Sequence, residues 1–289
     1  MLVDKALAIL SVVDDFCKQL LKEQNKKLIG GSPFYSVKDS SKGFCLSEAM
    51  TVLLLFQLSG SRSFKAFYRN HAKEEFFLSL FPKLPSYSRL VEIQGKVLIP
   101  MCLFGKWLAK CSDGVAFIDS TPIKVCHNKR ISMHKVFEGL AKRGKSTMGW
   151  FYGFKLHITI SQNAEILDFH ITTGTVDDRK VVDEICKNLY GKVFGDKGYI
   201  CQKLFKRMLS QGVQLITPLR KNMKPKAINI QDSKLLSKRS LVESVFNVLK
   251  NSMHAEHTRH RSVRNFMTNI VSAICAYGLR FHNPMLRLA

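Results

Sequence analysis

The chain has 289 residues, 46% of them hydrophobic, enough to bury a substantial core in one large domain or two smaller ones. Lys plus Arg number 45 against 22 Asp plus Glu, and the formal charge of +23 points to a polyanionic partner, with nucleic acid first. No apolar run reaches the roughly 18 residues a membrane span needs. The start lacks a signal peptide's basic-then-apolar order, and the eight cysteines include no Cys-x-x-Cys pair. The expectation is a cytoplasmic protein with reduced thiols, no zinc site and no membrane partner.

Residues 1–110 read as helical. Ser47-Glu48 opens an apolar helix that Ser59-Gly60 stops, and a second begins near Ser63 with Phe64, Phe67 and Tyr68 at helical spacing. After Pro85 a third long helix is expected from Ser86 or Ser88 to Leu108. Helices with short breaks and basic edges fit a helix-turn-helix-like domain that binds DNA ends, and a plain helical platform fits nearly as well.

From residue 111 the pattern changes to strands. The first, Val115 to Asp119, is an apolar run that stops on an acid. A basic stretch follows, with Lys124, Lys129, Arg130, Lys135, Lys142, Arg143 and Lys145, and is expected to be a loop that contacts phosphates. Trp150 to Ile160 and Glu165 to Thr172 read as strands joined by a hairpin turn at Ser161-Gln162-Asn163. Lys155 and His157 share one face of the first of these, two residues apart. His157 reads either as a satisfied sheet histidine or as a group facing substrate.

Asp177 and Asp178 most simply serve as N-cap and first-turn acid of a helix through Val181 to Leu189, with a metal role for Asp178 as the alternative. The strand Lys192 to Gly195 then delivers Asp196, and Gly198-Tyr199 leads into a helix around Leu204 to Leu209. Val213 to Thr217 is a fifth strand, and Arg220 to Lys226 a basic loop. Beyond it, Leu241, Val242, Val245, Phe246 and Leu249 make the apolar arc of a helix. Arg239, Glu243 and Lys250 fall within about 40° of one another just past its edge. His254, His257, Arg259, His260, Arg261 and Arg264 precede a final apolar helix from Phe266 to Leu279.

Asp119 and Asp196 thus stand at the carboxyl ends of two buried strands, where open α/β sheets hold their ligands, and Glu243 is a third acid on a helix. Taken singly, each is equally a turn former, a cap or a solvated flank.

These segments resemble the DDE transposases encoded by bacterial insertion sequences. Phe117-Ile118-Asp119-Ser120-Thr121 and Lys124-Val125-Cys126-His127-Asn128 are similar to the first signature of that group. Gly149 to His157 is similar to the strand that follows it, and Asp177-Asp178-Arg179-Lys180 with Phe194-Gly195-Asp196-Lys197-Gly198-Tyr199 to the second signature. Arg239, Glu243 and Lys250 take the last three positions of the third signature, and Leu236 stands where a Tyr is usual. Leu46-Ser47-Glu48 and Ser86-Tyr87-Ser88-Arg89 extend the likeness, which is nearest to insertion-sequence family 982.

The resemblance implies an α/β fold, a ribonuclease-H-like mixed five-stranded sheet flanked by helices over residues 111–289, behind an all-helical domain at 1–110. It implies phosphodiester cleavage and strand transfer with two Mg²⁺ ions, Mn²⁺ substituting, held by Asp119, Asp196 and Glu243. Lys124, Lys129, Arg130, Lys142, Arg143, Lys155, Arg239 and Lys250 would contact the DNA backbone, with His157, Asp178 and Tyr199 as further site residues. The implied partners are double-stranded DNA, both element ends and target, and at least one further copy of the chain. A nuclease on the same core and a non-catalytic DNA-binding protein are the alternatives.

Overall fold

Alternating burial and β-branched residues place the strands of the computed structural model, which describes residues 2–27, 43–220, 222–223, 229–256 and 260–282. By contact the chain divides into two units, Met1–Leu108 with Leu249–Ala289, and Ala109–Val248. Residues 249–289, expected with the sheet, therefore group with the N-terminal helices.

The first unit is helical: α1 (Leu2–Lys27), α2 (Leu46–Leu58), α3 (Phe64–His71), α4 (Glu75–Leu80), α5 (Tyr87–Lys96), α6 (Leu98–Leu108) and, from the far end of the chain, α11 (Val263–His282). The start of α2 is fixed by a reciprocal cap in which the Cys45 amide donates to Glu48 Oε2 at 2.6 Å. Eleven of the 13 residues of α2 are buried, because α1 and α11 both pack on it. The single long helix expected from Ser86 is two helices. Val97 caps α5, and Pro100 in the first turn of α6 costs no hydrogen bond there, whereas in a helix interior it would. Polar side chains on the buried face of α11 find partners within this unit. Asn265 Nδ2 donates to Val91 O at 2.9 Å, Thr268 Oγ1 to Gln94 O at 3.1 Å, and Gln57 Nε2 to Asn269 Oδ1 at 2.8 Å.

The second unit is built on a mixed sheet of six strands: β1 (Val115–Cys126), β2 (Lys142–Ser146), β3 (Gly149–Ile160), β4 (Ile166–Thr173), β5 (Gly191–Phe194) and β6 (Val213–Ile216). β3 is antiparallel to β1, β2 and β4, while β5 is parallel to β1 and β6 to β5. The register shows β2 and β4 end to end along one edge of β3, against its residues 149–153 and 154–160. β2 is the strand that sequence reasoning read as a loop. It has no apolar alternation, only exposed Lys142, Arg143 and Lys145 around a buried Gly144, and it is a strand because β3 offers it backbone partners. Gly153 sits where β3 crosses closest to β1; a Cβ there would lie 2.1 Å from Ile123 O.

The helices of this unit are shorter than the sequence pattern suggests. A 3₁₀ turn, Asp178–Lys180, leads into α7 (Val182–Ile185), a single turn in place of the helix expected to reach Leu189. α8 (Gln202–Ser210) follows β5 as expected, α9 (Ile230–Lys238) was not foreseen, and α10 (Ser240–Asn247) carries Glu243. α10 gives way to a π turn at Val248–Ser252, so Lys250 does not keep the phase with Glu243 that a continuous α-helix would impose. Of the basic loop, Lys221, Lys224, Pro225 and Lys226 lie outside the described residues, as do His257 and Arg259.

Candidate acidic centre

Two neighbouring strands and one helix make the site. The first strand, expected to end at Asp119, runs on to Cys126 because β3 pairs with it from Phe117 onward, so Asp119 lies inside it and Lys124 is on a strand. β1 and β5 pair in parallel only over Val115–Phe117 and Lys192–Phe194. Both chains then run on past the last shared pair, which leaves Asp119 and Asp196 each two residues beyond it on neighbouring strands. Ala116 and Ile118 face a core cluster with Val182, Val193, Tyr199 and Leu215. Asp119 is one residue out of phase with them and faces the opposite side of the sheet, the side that meets α10. There Arg239 Nη1 donates to Asp119 Oδ2 at 2.9 Å, and Arg239 Nη2 lies 3.3 Å from Glu243 Oε1. One guanidinium therefore bridges two of the three acids.

That single cation does not satisfy Asp119. Burial pushes its carboxyl up to about 6; the Ser120 amide and Arg239 work against the rise and the charge of Asp196 adds to it. Asp196 itself caps the 3₁₀ turn Lys197–Tyr199, its Oδ1 accepting from the Gly198 amide. Tyr199, three residues on, is 1% exposed, and its hydroxyl has no hydrogen-bond partner among the described residues. Burial holds its proton well above the ordinary phenol range, and Asp119, Asp178 and Asp196 all add to that effect. No group of three His, Cys, Asp or Glu side chains among the described residues is placed to hold one metal ion. Arg239 stands between Asp119 and Glu243 instead. The donor set nonetheless suits a hard divalent cation: every donor is a carboxylate oxygen, and the most buried of them remains under-compensated by its arginine.

The other expected site residues separate into three environments. Lys155 is tied down, its Nζ 2.9 Å from both Asp178 Oδ1 and Val176 O. His157 is 1% exposed and 2.9 Å from Thr172 Oγ1, and burial lowers its pKa to about 4, so it is a neutral internal residue of the sheet at pH 7. Asp177, not Asp178, caps the turn, and Arg179 closes back on it through two guanidinium nitrogens. Lys129, Arg130, Lys142 and Arg143 are exposed, with Lys124 exposed on β1. Lys250 belongs to the helical unit, where its Nζ is 3.2 Å from Glu256 Oε2. Sequence reasoning missed the Arg239–Asp119 bridge and the unpartnered Tyr199 hydroxyl. The first joins residues 120 positions apart, and no local pattern encodes it.

The family model described as a transposase DDE domain matches residues 109–263, a span that takes in all three acids. Among solved structures the chain is similar to a cryo-EM structure of a piggyBac transposase synaptic complex with hairpin DNA. The sequence identity is 12% and the TM-score 0.47, over 95% of this chain and 72% of that one. No curated protein matches the chain.

Proposed function

The chain belongs to the transposase DDE domain family, and from that premise we propose that it is the DNA transposase of a bacterial insertion sequence of family 982. It binds the ends of its element, cleaves a phosphodiester bond there, and joins the freed 3′ hydroxyl to target DNA. The observation that carries this reading is the convergence of Asp119 and Glu243 on Arg239, beside the strand end that bears Asp196.

Asp119, Asp196 and Glu243 are the residues that would hold divalent metal, two Mg²⁺ ions with Mn²⁺ as a substitute. When bound, such ions supply Lewis acidity to the attacking and leaving oxygens of an in-line displacement. The chain's own part is electrostatic and positional. Asp119, on a strand paired along its length with β3, is a rigid anchor, and its carboxyl, pushed up to about 6, is only half ionised at that pH. Arg239 bridges Asp119 and Glu243 in the free protein, offsetting one of their two charges, and is the group best placed to turn to a DNA phosphate when other positive charge arrives. Lys124, Lys129, Arg130, Lys142 and Arg143 present an exposed basic surface for the backbone, which positions DNA without reading its bases. The helices of residues 1–110 supply end recognition. Pairing two element ends requires at least a dimer on DNA, acting in the cytoplasm at the nucleoid.

The deciding experiment is a Mg²⁺-dependent cleavage and joining assay on the DNA flanking the gene, with wild type, Asp119→Ala, Asp196→Ala and Glu243→Ala. Wild type should cut and join while all three variants bind DNA and do neither. Cutting without joining would replace transposase by nuclease; DNA binding with no cutting in Mg²⁺ or Mn²⁺ would leave a non-catalytic DNA-binding protein.

A further inference from the structure

A cleft of about 450 Å³ opens on the sheet unit near Asp196 and joins Arg143, already placed on the basic surface, and Lys155 to two cations that no assignment above uses, Lys145 and Arg179. It is lined by Arg143 and Lys145 of β2, Lys155 of β3, the turn that carries Asp177, Asp178 and Arg179, and Gly198. We propose that this cleft is a binding site for a phosphodiester of DNA, a second backbone contact distinct from the phosphate at the acidic centre. The proposal rests on the reading of this chain as a DNA-acting enzyme and names where a further stretch of strand passes.

Charge and order support it together. The lining holds four cations against two acids, so it stays net positive even with both acids ionised. The two acids do not cancel the site; they arrange it. Asp178 and Val176 O hold Lys155 Nζ from two sides, and Asp177 holds the Arg179 guanidinium through two nitrogens. Cations fixed in this way lose little side-chain freedom when a phosphate arrives. Arg143 and Lys145 are exposed and have no carboxylate partner among the described residues, so they carry the unneutralised charge. Lys145 is also steadied, its Nζ lying 5.8 Å from the centre of the Trp150 ring.

Position supports it as well. β2 is a strand without a core-facing side-chain pattern, and its Gly144 backbone lies so close to Gly174 that a Cβ would stand 2.3 Å from Gly174 O. The pairing thereby brings the Arg143 and Lys145 backbone up against the 174–179 turn. Gly198, at the other wall, donates its amide to Asp196, so the cleft reaches within two residues of a catalytic acid. On this side of the sheet lie Lys155 and His157, in register with Ser120 and Pro122 of β1, whereas Asp119 and Glu243 meet across the opposite face.

The test uses the full-length protein and equilibrium DNA binding as a function of salt. Arg143→Met and Lys145→Met remove charge without breaking a carboxylate pair, and Lys206→Met, exposed on α8 outside the cleft, is the matched control. Each cleft variant should lower the log–log salt slope by about 1 and weaken binding several-fold, whereas the control should do neither. Two duplexes, one copied from the DNA flanking the gene and one of arbitrary sequence, tell whether the phosphate belongs to the element end or to target DNA; a loss on either supports the site. Unchanged slopes in both cleft variants, or an equal loss in Lys206→Met, would overturn it. Failure here alongside normal Asp119-dependent cleavage sinks the cleft alone; a wild-type chain that binds no DNA sinks the transposase reading with it.

Discussion

Both units of this protein bury polar side chains, yet they treat charge in opposite ways. Among the described residues the helical unit buries no Asp, Glu, Lys or Arg; its interior polar groups are amides and hydroxyls such as Gln57, Gln94, Thr268 and Asn269. Several of these meet each other or a backbone carbonyl, while Gln57 Oε1 and Asn269 Nδ2 have no hydrogen-bond partner among the described residues. The sheet unit buries one carboxylate and half-buries another, and the two differ in their partners. Asp232, 8% exposed, has Lys192 at 2.7 Å as its own cation. Asp119 must share Arg239 with Glu243, and burial still lifts its carboxyl to about 6. The difference teaches where work is done: a structural acid is given a dedicated partner, while an acid left under-compensated is ready for added positive charge.

The largest expected effect breaks this contrast at its centre. Asp119→Asn keeps the shape of the side chain but removes the charge, and cleavage should fall by about a thousandfold or more with DNA affinity retained; single-turnover cleavage against anisotropy binding checks it. Gly153→Ala should cost about 3 kcal/mol or more of stability, because its Cβ would lie 2.1 Å from Ile123 O and force β3 off β1; urea unfolding measures this. Arg239→Met should slow cleavage about ten- to a hundredfold and move the acid limb of the pH–rate profile upward, since the cation that lowers the Asp119 pKa is gone.

A smaller effect appears in stability against pH. The Asp119 carboxyl is raised in the folded chain above its unfolded value near 3.8, so ionising it disfavours the fold. This penalty is absent below about pH 4, grows between pH 4 and 6, and is complete above 6. Asp119→Asn should therefore be about 2 kcal/mol more stable than wild type at pH 8 and equal to it at pH 4; thermal melts across that range decide it. The smallest effect belongs to the helical unit. Gln57→Leu leaves Asn269 without its side-chain partner and should cost about 1–2 kcal/mol, with no pH dependence and no change in cleavage per folded molecule.

How far the sequence reached depended on whether a feature was local. The apolar runs that lead to Asp119 and Asp196 were legible because they report their own burial, and β3, β4, β5 and β6 lie within a residue or two of their expected limits. β1, by contrast, runs past Asp119 to Cys126 on backbone pairing that its side chains do not announce. The N-cap at Ser63 is equally local, its Oγ accepting from the Ala66 amide. β2 was not legible: its side chains are basic and solvated, and only the backbone of β3 makes it a strand. The break at Val97 and the π turn after Asn247 were hidden for a related reason, since helical periodicity continues across both.

By itself, then, the sequence determined the α/β class, the two apolar runs that lead to Asp119 and Asp196, the helix that carries Glu243 and the basic surface a polyanion needs. Those properties follow from hydrophobic period and from charge, which each segment carries alone. Only the tertiary structure decided that Arg239 spans Asp119 and Glu243, that Asp178 restrains Lys155, and that the Tyr199 hydroxyl is buried near three aspartates with no hydrogen-bond partner among the described residues. Each of these depends on the distance between side chains far apart in the chain, and that distance is set by how strands pair and helices dock.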